Sequence, residues 1–183
     1  MNEHASKIKE MAVIGLMTAV VCVLAPISFY IPISPVPISL GSMMIYFVVT
    51  VLGARRGTVS VLLYILLGLA GLPVLSGFTG GAGKLFGPTG GYIIGYIFLA
   101  LIFGFFTDHW KDRLAMQILG AILGTLALYL FGTLWLGRQL GIDFMAALWA
   151  GVIPYIPGDI VKLILAMTLG IKLRKRLHAA ELL

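Results

Sequence analysis

Long apolar runs, separated by short charged, glycine-rich or proline-rich breaks, set the plan of this chain. The runs cover about residues 11–29, 39–52, 58–75, 91–106, 114–136 and 144–173. A helix needs roughly 20 mostly apolar residues to cross a bilayer. The pattern therefore predicts an all-α integral membrane protein, a single domain over 1–183 with six transmembrane helices. Small residues recur four apart on three of the helices, as Gly15 and Ala19, Gly91 and Gly95, and Gly120 and Gly124. That spacing puts each pair on one helix face, where another helix can approach closely.

Three breaks are not ordinary turns. Tyr30–Leu40 reads YIPISPVPISL, with Pro32, Pro35 and Pro37 too close together for a helix. It is uncharged and apolar, so it is expected to fold back over the bundle as a lid. Ser76–Gly91 reads SGFTGGAGKLFGPTGG and includes Gly77, Gly80, Gly81, Gly83, Gly87, Gly90 and Gly91. Glycine lets backbone come close to a ligand and adopt positive φ without steric cost. Lys84 in its middle is the only charge between Arg56 and Asp108, which favours a binding loop over a plain hinge. The sixth run is interrupted by Pro154 and Pro157.

Composition fits this plan. Hydrophobic residues make up 60% of the chain and charged residues 11%, against roughly 25% charged in soluble domains. The placement of charge says more than the net +6. Lys7, Lys9, Arg55, Arg56, Lys111, Arg113, Lys172, Arg174, Lys175 and Arg176 all fall at the termini or in the turns after the second and fourth helices. Only Lys84 and Arg138 fall on the opposite side. Positive residues collect in the cytoplasm, so both termini are predicted cytoplasmic, with the proline segment and the glycine loop facing outward. The basic, then apolar, N-terminus superficially resembles a signal peptide, but five further apolar runs make it a retained first helix.

Other chemistry is excluded by spacing. A phosphate-binding loop using Lys84 needs glycine at 78 and Ser or Thr at 85, where the chain has Phe78 and Leu85. A dinucleotide fingerprint from Gly81 needs glycine at 86 and meets Phe86. No ATP or NAD site, and no cofactor, is expected. Cys22 is the single cysteine, and His4, His109 and His178 lack ligand spacing, so no metal site is predicted.

The deepest charges are Asp159 and Lys162, three apart on one helix face within IPGDIVKLILAM. With Lys172 at the cytoplasmic boundary, Lys162 stands about 15 Å into the membrane at ~1.5 Å per residue, near the bilayer middle. Charges at that depth are costly and usually functional, although a self-satisfied structural pair is the bland alternative. A broken helix with polar groups near the midplane is how membrane proteins build solute sites.

The motifs PVPISL (35–40), LLGLAGLPVLSG (66–77), GPTGGY (87–92) and PGDIVK (157–162) together resemble the BioY family. Its members are biotin-binding subunits of energy-coupling factor importers. The resemblance spans nearly the whole chain; Gly41 departs from it, standing where a glutamine is expected after the proline element. It implies a high-affinity biotin-binding subunit, not an enzyme, in the cell membrane of a bacterium or archaeon. Its partners would be a transmembrane coupling protein and two ATPases, with Gly15 and Ala19 on helix 1 facing the coupling protein.

Biotin offers ureido N–H donors, a ureido oxygen, an apolar sulfur ring and a carboxylate. Asp159 suits the N–H groups, Lys162 the ureido oxygen and Lys84 the carboxylate. Phe86, Tyr92 and Tyr155 offer apolar walls. Gly80, Gly81, Gly83 and Gly90 of the glycine loop, with Pro35 and Val36 of the proline segment, complete the expected site. A self-sufficient carrier working without an ATPase is the alternative reading. An intramembrane enzyme would need a nucleophile and base, or metal ligands, at the depth of Asp159.

Overall fold

The computed structural model describes residues 3–29, 34–180 and 182. The expectations for Tyr30–Ile33, Pro32 among them, lie outside the described residues. The chain is mostly helical: α1 Glu3–Leu24, α2 Gly41–Leu69, α3 Ala82–Leu85, α4 Gly90–His109, α5 Leu114–Leu140, α6 Phe144–Gly151 and α7 Ile156–Ala179. Two short strands, β1 Ser28–Phe29 and β2 Ile38–Ser39, pair antiparallel. By length and composition, Gly41–Leu69, Gly90–His109, Leu114–Leu140 and the run Phe144–Ala179 are each able to cross a membrane.

Several predicted boundaries shift, each for a local reason. α1 starts at Glu3 instead of Met11, because nothing in the polar N-terminal residues breaks a helix. It stops at Leu24 instead of Phe29, because Pro26 cannot continue the ladder, and Ser28–Phe29 enter β1. The second and third predicted helices are the two limbs of α2, divided by the non-helical backbone of Gly53, and the second limb ends at Leu69 instead of Leu75. The glycine loop is not featureless, since it contains α3 and a bridge between Leu75 and Thr79. The last run divides into α6, a 3-10 turn at Ile153–Tyr155 and α7, as Pro154 and Pro157 require. Asp143 caps α6 by accepting from the Ala146 N–H at 2.6 Å.

α2 turns back on itself at Gly53, where φ is 78° and ψ is −166°. A Cβ built on Gly57 would stand 3.2 Å from the Val49 Cα. Residues eight apart in a straight helix are about 12 Å apart, so the limbs on either side of Gly53 run against each other. The freed N–H of Ala54 donates to the Asp108 carboxylate at 2.8 Å, satisfying a donor at the start of the second limb. The backbone at Gly53 lies in a region essentially restricted to glycine, and a Cβ there would also run into Asp108. Gly53→Ala should therefore destabilise the protein by about 1–3 kcal/mol. Thermal unfolding in detergent reads this directly, and an unchanged melting temperature would contradict it.

α4 packs more extensively on α5 than on any other element. The small residues explain how: Gly95 lies against Leu128, Gly124 against Leu99, and Gly91 against Trp135. α2 joins this pair, and α1 and α7 lie against α2. The buried centre includes Val21, Ile45, Val49, Val61, Leu99 and Phe103. Polar contacts inside are hydroxyl pairs, Thr18 with Ser60 at 2.9 Å and Tyr46 with Thr125 at 2.7 Å. Leu126, Leu130, Leu134, Ile160 and Ile164 point outward, as expected of surface solvated by lipid tails.

Candidate ligand-binding site

At the start of α7 the Asp159–Lys162 pair forms as the helix spacing predicts. The Lys162 Nζ lies 3.0 Å from Asp159 Oδ1, and both side chains are 13% exposed. Two other helices supply hydroxyls to the same carboxylate. Tyr129 of α5 donates to Asp159 Oδ2 at 2.7 Å, and Ser42, in the first turn of α2, donates to Oδ1 at 3.4 Å. Lys162 also reaches the Ser42 Oγ at 3.5 Å. A carboxylate has about four acceptor sites and an ammonium three donors. Among the described residues, these contacts leave one acceptor site on Oδ2 and one N–H on Lys162.

The pair faces a cavity of about 70 Å³ lined by Ser42, Ser76, Thr89, Tyr92, Tyr96 and Tyr155, among others. Tyr92 and Tyr96 are one turn apart on α4, so both rings point to the same side. The proline segment forms part of this wall through Val36, Pro37 and Ser39. Ser34 donates to the Ala150 carbonyl at 2.6 Å, and Tyr155 donates to the Val36 carbonyl. These bonds tie the segment to the break between α6 and α7, with Val36 buried beside Leu136 and Tyr155. On the other side of Tyr129 and Asp159, an apolar groove of about 450 Å³ is lined by Leu126, Leu130, Ile160 and Leu163.

Of the predicted residues, the cavity brings together Asp159, Lys162, Tyr92, Tyr155 and Val36. Lys84, Gly80, Gly81, Gly83, Phe86, Gly90 and Pro35 do not line it. Gly80 and Gly90 make room for protein instead of ligand: a Cβ would collide with the carbonyl of Leu72 at Gly80 and of Leu85 at Gly90. Phe86 is 67% exposed. Lys84 sits on α3, where burial lowers the pKa of its ammonium. Both ends of the glycine loop, Ser76 and Thr89, do reach the cavity.

Sequence reasoning missed Ser42, Tyr96 and Tyr129. Tyr96 was recoverable from its spacing to Tyr92. Tyr129 and Ser42 carried no signal, because one hydroxyl in an apolar helix says nothing of what it faces across the bundle. Gly41 has a local role: a Cβ there would stand 2.7 Å from the Tyr96 hydroxyl, so its absence lets that hydroxyl approach α2.

The family model described as "BioY family" matches residues 1–179. The biotin transporter BioY2 of Lactococcus lactis subsp. cremoris (strain MG1363) is 34% identical over 94% of this chain and 93% of its own. The biotin transporter BioY of Thermotoga maritima is 36% identical over 88% of this chain and 93% of its own. Among solved structures, the S-component for biotin from an ECF-type ABC transporter superposes with a TM-score of 0.86. It is 34% identical and covers 96% of this chain and 95% of its own. With the family model matched over nearly its whole length, this chain belongs to the BioY family.

Proposed function

We propose that this protein is a membrane-embedded biotin-binding subunit of an ATP-driven vitamin importer, and not an enzyme. The carrying observation is the residual capacity of the Asp159–Lys162 pair. One carboxylate lone pair and one ammonium N–H, side by side, match a ureido group that presents an N–H beside a carbonyl oxygen. Tyr92, Tyr96 and Tyr155 supply flat walls for the ring system. Lys84, between Ser76 and Thr89, is the cation that the glycine loop can bring to the mouth for the ligand carboxylate.

At about 70 Å³ the cavity is well below the roughly 300–1,000 Å³ of small-molecule sites. The proline segment or the glycine loop must give way as biotin enters. Both belong to the side with few positive charges, so biotin enters from outside, with the termini in the cytoplasm. The two limbs of α2, α6 taken with α7, and α1, α4 and α5 make six crossings. A transmembrane coupling protein and two ATPases would supply the energy, with Gly15 and Ala19 as the contact on α1. The relatives' names, as biotin transporters and a biotin S-component, support this reading.

Purified protein should bind labelled biotin one to one and release it chemically unchanged. Cells carrying this chain without an energising module should not accumulate biotin, whereas cells with the module should. Accumulation by the chain alone would favour a self-sufficient carrier, and absence of biotin binding would remove the proposal.

A further inference from the structure

The end of the bundle remote from the ligand cavity carries a second polar site. Here the Gly53 reversal, the C-terminal end of α4 and the last turns of α7 surround a cavity of about 360 Å³. Four cations line it, Arg55, Arg56, Lys111 and Arg174, against two carboxylates, Glu10 and Asp108. Two of the cations are engaged. Arg56 lies 2.7 Å from Glu10, and Arg174 lies 3.6 Å from Asp108 while donating to the Thr50 carbonyl at 3.3 Å. Among the described residues, Arg55 and Lys111 pair with no carboxylate. The paired residues thus hold a frame, and two cations are left over on its rim.

The aromatic residues fix where this frame lies. Phe105 stacks on His109 at 4.8 Å, and Phe106 lies 5.0 Å from Trp110, immediately before Lys111. Trp residues at the ends of apolar helices sit at the level of lipid headgroups, and Trp110 holds that place here. A cavity with surplus positive charge at that level, opening between helix ends, is suited to a lipid phosphate. We propose that this cavity binds the phosphate of an anionic phospholipid headgroup, with Arg55 and Lys111 as the cations that recognise it. The site is separate from biotin binding and does not depend on which leaflet this end occupies.

The full-length protein in detergent, titrated by native mass spectrometry with phosphatidylglycerol, phosphatidylcholine or inorganic phosphate, tests this. Phosphatidylglycerol should be retained in preference to phosphatidylcholine, whose choline cancels the phosphate charge. The double variant Arg55→Gln, Lys111→Gln should bind phosphatidylglycerol about thirtyfold more weakly, at about 1 kcal/mol of surface attraction per cation and about 1.4 kcal/mol per tenfold. The charge-keeping variant Arg55→Lys, Lys111→Arg should retain most of it. Unchanged biotin binding in both variants would show that they fold. Equal retention of the two lipids, or undiminished phosphatidylglycerol binding by the Gln variant, would overturn the proposal. Inorganic phosphate binding as tightly as phosphatidylglycerol would overturn the lipid as its source.

Discussion

Replacing Asp159 by Asn is expected to weaken biotin binding by about one and a half to three and a half decades. Removing one member of a buried charged contact typically costs about 2–5 kcal/mol, at about 1.4 kcal/mol per tenfold. The geometry makes the two members of the pair unequal. Asp159 accepts from Lys162, Tyr129 and Ser42, so in Lys162→Met it still keeps two hydroxyl donors. Among the described residues Lys162 has only Asp159 and the longer Ser42 contact, so Asp159→Asn leaves a buried ammonium without its counter-charge. The Asn variant should therefore lose more thermal stability than the Met variant, as well as more affinity. Isothermal titration with biotin beside thermal unfolding separates the two effects. If Lys162→Met loses stability yet binds biotin with unchanged affinity, the pair is structural and the site lies elsewhere.

The parts of this protein legible in the sequence are those fixed by solvent and by local spacing. Apolar runs declare helices because lipid leaves no other way to satisfy backbone, and Pro154 with Pro157 announced the break before Asp159. The three-residue spacing of Asp159 and Lys162 placed both on one face without any tertiary information. Gly91, Gly95 and Gly124 were marked as contact points by size alone, and they carry the α4–α5 packing. Contacts across the bundle were not legible. Tyr129 and Asp159 are brought together by two different helices, α5 and α7, and no local pattern encodes that meeting. At two positions of the glycine loop the local pattern had two readings. Glycines admit a ligand and a neighbouring carbonyl equally well, and at Gly80 and Gly90 the close neighbours are Leu72 and Leu85.

Gly15 and Ala19 show the opposite outcome, small residues on an exposed helix face among the described residues. α1 packs against α2, burying Val13, Met17 and Val21 and pairing Thr18 with Ser60. Met11, Gly15, Ala19 and Val23 lie four apart on the other face and are exposed, and a Cβ on Gly15 would meet nothing within 4 Å. The groove they form is free for a helix of another subunit to approach closely. Both positions are exposed and a Cβ at Gly15 has open space around it, so Gly15→Leu with Ala19→Leu should fold normally. We expect biotin binding by the isolated protein to stay within about twofold, a change of under half a kcal/mol. ATP-driven uptake with the energising module present should fall to background, because two added leucines hold the partner helix away. Pull-down of the coupling protein by the variant should fail in parallel. Full uptake by the double variant would place the partner on another face. Loss of biotin binding or of thermal stability would instead return Gly15 and Ala19 to the packing of this bundle.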